Sequence, residues 1–146
     1  MKIITVAGDR VAILVDGRDT QGHYVIMEAT LPPKGGPPPH VHTREDETFQ
    51  VLAGEVTFYV GDKTMVVKPG EYVFAPRGIP HHFKNTGTTD AILLETASPA
   101  GVEAFFEAVG KPLATRQDRP VPPSAEDIHR MRALAPEYGI TILPPK

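Results

Sequence analysis

Within "PPPHVHTREDETFQVLAG", residues 37–54, two histidines stand one residue apart, after three prolines and before the acids Glu45, Asp46 and Glu47. Side chains at i and i+2 share one face of a strand but diverge on a helix, so a His-x-His pair is a two-pronged ligand only on extended backbone. Pro37, Pro38 and Pro39 favour extended chain and argue against a helix running into His40. His40 and His42 are therefore expected to project side by side. A second stretch, "GEYVFAPRGIPHHFKN" at residues 70–85, brings His81. Gly70 and Gly78 mark turns there, and Pro76 and Pro80 stiffen the approach. If its strand lies beside the first, three imidazoles and one following carboxylate make a nitrogen–oxygen donor set. That set suits a borderline divalent transition metal.

Strands must supply the positioning. "KIITVA", "RVAILVD" and "HYVIMEATL" are rich in β-branched residues and separated by Gly and Asp. "TFQVLAGEVTFYVGDKTMVVKPGEYVFAP" continues the pattern, with Gly61-Asp62 as a tight hairpin turn, and "HHFKNTG" and "AILLETA" complete it. Many short strands with regular turns predict an antiparallel sandwich or barrel, over about residues 1–97 of a single 1–146 domain. The tail from about 98 to 146 reads differently. Val102, Phe105, Phe106 and Val109 fall on one helical face, with Ser98 as cap, Pro99 in the first turn and Gly110 as stop. This helix is expected to pack outside the barrel. A second helix follows, capped by a Ser124–Asp127 box and ended or kinked by Pro136, and "GITIL" suits a last strand.

The chain has 146 residues, of which 40% are hydrophobic, a size and composition suited to one domain with its own core. It contains no cysteine, which excludes disulfides, thiolate ligands and cysteine nucleophiles together. Net charge is −3 and the basic residues form no stripe, so nucleic acid is not an expected partner. No apolar run approaches the roughly 18 residues that cross a membrane, and the N-terminus lacks a signal-peptide pattern. No membrane partner and a cytoplasmic location are the expectation. Ser98 and Ser124 sit in no nucleophile elbow, and Gly35-Gly36 opens no phosphate loop.

The two stretches resemble the paired motifs of the cupin superfamily. The first motif reads His40, Val41, His42, then Glu47 after four residues and Gly54 after six more. The second reads Gly70, Pro76, Gly78, His81 and Asn85, with every spacing matched. The usual leading glycine of the first motif falls on Lys34, followed by Gly35 and Gly36, a departure the loop is expected to tolerate. The resemblance selects Glu47 among the three acids, since only Glu47 lies seven residues before Gly54. Glu47 also shares strand parity with Phe49 and Val51, which leaves Glu45 and Asp46 facing solvent or a loop.

The resemblance extends to the quercetin dioxygenase-like group of monocupins. It implies an all-β double-stranded β-helix (a jelly-roll barrel) with short C-terminal helices outside, in a homodimer. It also implies one divalent metal per chain (iron, nickel, manganese, cobalt, copper or zinc) held by His40, His42, Glu47 and His81. In its dioxygenases the carboxylate ligand doubles as a base, a catalytic role that falls here on Glu47. Parity points Phe49, Val51 and Phe83 into the pocket, with Tyr24, Ile26 and Met27 as candidates from an earlier strand. An apolar wall above a metal favours a flat, largely uncharged aromatic with one or two chelating oxygens; a small dianion would want an inward arginine. The expected function is a metal-dependent dioxygenase acting on an oxygenated, flavonol-like aromatic. The alternatives are a non-oxidative cyclase or isomerase and a non-catalytic small-molecule-binding cupin. His82 has the wrong parity for the site, His23 and His129 lie outside both motifs, and Asn85 suits a turn at a strand end. Arg44 and Arg77 could stand at the pocket mouth or in solvent.

Overall fold

The structure, a computed structural model, describes residues 1–144. In chain order the strands are β1 (Lys2–Val6), β2 (Asp9–Val15), β3 (Val25–Leu31), β4 (His40–His42), β5 (Asp46–Ala53) and β6 (Val56–Val60). Then come β7 (Lys63–Val67), β8 (Tyr72–Ala75), β9 (His81–Asn85) and β10 (Ala91–Ser98). Helix α1 (Val102–Val109), β11 (Lys111–Pro112), α2 (Ala125–Leu134), a 3-10 turn (Ala135–Tyr138) and β12 (Ile140–Ile142) complete the described chain.

The strands pair antiparallel in two sheets. One has the order β11-β1-β2-β3-β10-β5-β8 and the other β12-β4-β9-β6-β7. Together they form the jelly-roll expected. Its cause is local: β5 and β10 alternate buried and more exposed residues along their length, so each presents one apolar face to the opposite sheet. Phe49, Phe58 and Phe83 meet between the sheets with ring centroids 5.0–5.2 Å apart and almost no exposure. Burying each ring contributes about 2–3 kcal/mol, and the triad forms the floor under the histidines.

The turns follow the sequence. Val60 pairs with Lys63 across Gly61-Asp62, with Gly61 at φ 60°. Two glycines are obligatory for packing as well as for φ. A Cβ on Gly54 (φ 80°) would lie 2.9 Å from the Ala91 backbone, and one on Gly36 (φ 141°) would lie 2.0 Å from the Phe83 carbonyl oxygen. The loop before His40 is therefore less tolerant than expected. Lys34, at the motif's glycine position, takes the left-handed φ of 70° itself, and Gly36 carries the close approach.

The tail matches in outline. Helix α2 has its Ser124–Asp127 capping box, Pro136 opens the 3-10 turn, and β12 forms within "GITIL". Ser98 is not the cap of α1. It remains in β10 and donates to the His23 carbonyl at 2.9 Å, while Gly101 is the cap residue and Glu103 accepts its N–H. The short helices pack against the barrel, and the tail also extends both sheets: β11 pairs with β1, and β12 with β4. No helix among the described residues is long and apolar enough to cross a membrane.

Candidate metal centre

Register brings the histidines together. In β4, His40 pairs with His81 of β9, and β12 flanks the other side, with Ile140 opposite His42 and Ile142 opposite His40. Glu47 enters from β5 in the facing sheet. The ligand atoms of His40, His42, Glu47 and His81 all lie within 4.8 Å of one another. His42 Nε2 and His81 Nε2 each stand 3.0 Å from Glu47 Oε1. Glu47 Oε1 and His81 Nε2 nevertheless have no hydrogen-bond partner, though both are buried. Polar atoms at that distance that do not bond one another are aimed at a common point instead. Two donors each about 2.1 Å from one ion at right angles stand about 3 Å apart, so the spacing fits a transition-metal ligand set.

The far side of each ring fixes its tautomer. His40 Nδ1 lies 2.8 Å from the Pro38 carbonyl and His81 Nδ1 lies 3.4 Å from the Ile79 carbonyl. A carbonyl only accepts, so each Nδ1 is the donor and each Nε2 keeps its lone pair. His42 Nδ1 lies 3.2 Å from Glu45 Oε1 and is placed likewise. Glu45 is thus a correction to the expectation that it faces solvent: it is 3% exposed and holds His42. Glu45 lies two residues before Glu47 and shares its inward parity, so counting back along the extended chain already pointed it inside. Asp46 is partly exposed and accepts from the Arg77 backbone at 2.9 Å and its guanidinium at 3.1 Å, which pins the β8–β9 turn to β5.

Electrostatics prepare the rings for a cation. Burial, reinforced by the neighbouring histidines, pushes His81 down to about 4 and His40 well below its ordinary value. Burial opposes protonation of His42 too, but the nearby carboxylates of Glu47, Glu45 and Glu95 outweigh it and raise that ring. Glu95, inward on β10 and 6% exposed, is the second site acid that the sequence did not single out. Burial, then the Glu47 carboxylate to which it hydrogen-bonds, pushes Glu95 well above the carboxylate range. A lone acid at inward parity between Leu93 and Ala97 in an apolar strand was the available signal.

His40, His42 and Glu47 open onto a cavity of about 750 Å3, its open mouth included, whereas His81 is buried and not part of its wall. Phe49 and Phe83 line it, joined by Phe105 and Phe106 of α1, Met131 of α2 and Ile140 and Ile142 of β12. The other pocket candidates lie elsewhere. Met27 and Val51 point inward but are fully buried in packed core. Ile26 has the opposite parity to Met27, and Tyr24, before β3, is 39% exposed. His82 stacks on Tyr59 at 4.3 Å, away from the cavity wall, and Arg44 lies exposed over Gly139. Asn85 is buried and clamps its turn, donating to the Leu31 and Thr89 carbonyls and accepting from the Gly87 N–H.

A profile described as "Cupin domain" matches residues 27–97, a span that contains all four clustered residues. The chain is a cupin. Among solved structures, the cupin is 32% identical to a protein of Thermus thermophilus, over 53% of this chain and 74% of that one, with a TM-score of 0.52. A Thermotoga maritima structure described as a predicted oxalate decarboxylase gives 26% identity, 67% and 90% coverage and a TM-score of 0.62. The quercetin 2,3-dioxygenase of Bacillus subtilis strain 168 is 22% identical over 100 residues, 68% of this chain and 29% of that protein. The matched span is half or less of the curated relatives it resembles.

Glu45 offers the simplest test of how the cupin arranges its donors. Glu45→Gln should weaken zinc binding about 10–100-fold in competition with a chromophoric chelator, because the His42 ring loses its charged acceptor. Unchanged affinity would mean that β4 alone orients the ring.

Proposed function

We propose that this cupin is a metal-dependent dioxygenase acting on a largely uncharged, oxygenated aromatic of flavonol type. One observation carries the reading: the four-residue cluster opens, through His40, His42 and Glu47, onto an aromatic-walled cavity whose lining includes three acids and no Lys or Arg. Oxalate, named in the description of the Thermotoga relative, is a dianion. Beside Asp9, Glu47 and Glu95 it would meet repulsion with no cationic side chain to offset it. An aromatic ring instead gains contact with Phe49, Phe83, Phe105 and Phe106.

A divalent ion held by the four residues supplies Lewis-acid and redox chemistry at the cavity base. The chain's own part is to bind, orient and move a proton. The phenylalanines hold the ring flat and keep water out. The Glu47 carboxylate takes the proton of a substrate hydroxyl, and Glu95, hydrogen-bonded to Glu47, stabilises the charge that Glu47 carries before transfer. A second reading, a non-oxidative cyclase or isomerase, is favoured by this same neutral-acid and carboxylate pair, which can shuttle a proton without oxygen.

The test is oxygen uptake with 3-hydroxyflavone, using protein loaded in turn with iron, nickel, manganese, cobalt and copper. Consumption of about one oxygen molecule per flavonol, abolished in Glu47→Ala, is the expected result. Turnover that persists without oxygen and with zinc would establish the second reading. Tight binding without product under every metal would leave a binding module.

A further inference from the structure

Asp9, the first residue of β2, is the polar group of the cavity that the metal centre does not use. It is 7% exposed, lines the cavity, and its Oδ1 has no hydrogen-bond partner among the described protein groups. The Gly36 backbone N–H bonds the carboxyl. Oδ1 also sits so close under Gly35 that a Cβ there would lie 2.7 Å from it. No Lys or Arg lines the same cavity. A buried acid with an unpaired oxygen costs stability, so its presence asks for a partner that arrives from outside the chain.

Its position says where that partner binds. In the seven-stranded sheet Asp9 is on β2 and Glu47 on β5, with β3 and β10 between them. Asp9 lies next to Arg10, which pairs with Thr30, so it stands level with Leu31 and, across β3, Ala91; Glu47 pairs with Ala97 at the other end of β10. At nearly 5 Å per strand spacing, the two acids are more than about 10 Å apart. The wall between them includes Val11, Ala29, Phe49 and Phe83. The cavity is thus apolar with a polar group at each end.

We propose that Asp9 is a specificity-determining residue whose carboxyl hydrogen-bonds a hydroxyl at the far end of the ligand. The ligand class that fits is an elongated, two- or three-ring aromatic with chelating oxygens at one end and a hydroxyl at the other. This rests on the reading of the cavity as a pocket for an oxygenated aromatic. It adds which end of the molecule is read and by what. A buried hydrogen bond rejects the analogue that lacks the hydroxyl, because the protein group is then left unpaired.

The probes are 3-hydroxyflavone and 3,4′-dihydroxyflavone, titrated by fluorescence into zinc-loaded protein, where redox turnover is silent. The wild-type chain should bind the dihydroxy compound about 10-fold more tightly. Asp9→Leu should bind both equally. Asp9→Asn, which keeps the shape and a hydrogen-bonding group, should retain most of the preference. Melting curves of the variants establish that they fold, and Asp9→Ala, which should likewise bind both flavones equally, carries the test if Asp9→Leu does not fold. Equal preference in wild type and Asp9→Leu would overturn the proposal while leaving the aromatic pocket standing. Failure of wild type to bind either flavone would overturn both.

Discussion

Glu47→Ala should reduce the metal content of the purified protein from about one ion per chain to near zero, with zinc affinity down by more than about 100-fold. Three of the four donors survive the change, so the size of the effect needs an argument. Glu47 supplies the cluster's only carboxylate, and its Oε1 stands 3.0 Å from two of the three imidazole nitrogens. Without it, a dication would be held by neutral rings in a site that is nearly closed to water. Glu95 cannot substitute easily, since burial keeps its proton on and an ion would have to displace it.

Heat stability reads the same event independently of any assay of turnover. Zinc at about 100 times its dissociation constant adds ~2.7 kcal/mol to the wild-type fold, a rise of about 8 °C in Tm for a chain of this length. In Glu47→Ala that rise should vanish. The shape-preserving Glu47→Gln should lose most of it too, because the amide brings no charge. Metal-free wild type and Glu47→Gln should melt within a few degrees of each other, which separates a lost ligand from a damaged fold. A zinc-induced rise of wild-type size in Glu47→Ala would remove Glu47 from the ligand set.

What the sequence disclosed and what it hid divide along one physical line. A strand fixes side-chain direction by counting, so the β4 pair, the inward run Glu47, Phe49 and Val51 of β5, and His81 opposite His82 were all readable. Parity does not say how deep an inward residue lies. Met27 and Val51 face the interior just as Phe49 does, yet close packing covers them, and only the relative placement of two sheets decides that. Nor does parity name a partner. Glu45 lies one residue before β5 and keeps the parity of Glu47, but nothing in the sequence said that its carboxylate would reach His42 Nδ1. Asp9 follows Gly8 and reads as a turn residue, although β2 begins at it and buries it. The helical face Val102, Phe105, Phe106 and Val109 was legible as amphipathic. That Phe105 and Phe106 would also wall a cavity depends on where the chain turns after β10.

Asp9→Asn should make the protein more stable, and the gain should depend on pH in a way that identifies its cause. Burial raises the Asp9 carboxyl from 3.8 to about 8, offset in part by the Gly36 N–H. In the unfolded chain the acid ionises near 3.8, whereas in the fold it keeps its proton until near 8. Between those values the unfolded state binds fewer protons than the native one, so each rise in pH favours unfolding. The penalty is absent below the unfolded value, grows through the window and is constant above the folded one. At about 1.4 kcal/mol per unit its ceiling is on the order of 5 kcal/mol, and relaxation of the Gly35–Gly36 loop should leave ~2–3 kcal/mol to be measured. Asparagine accepts the same Gly36 bond and never ionises. The Tm difference between Asp9→Asn and wild type should therefore be near zero at pH 4 and about 6–9 °C at pH 8. Other titrating groups are common to both proteins and cancel in the difference. A difference that stays flat from pH 4 to 9 would mean that Asp9 is ionised and well paired in the fold. A positive, pH-dependent difference would show a chain that keeps a destabilising acid at the cavity wall, as a residue retained for its ligand must do.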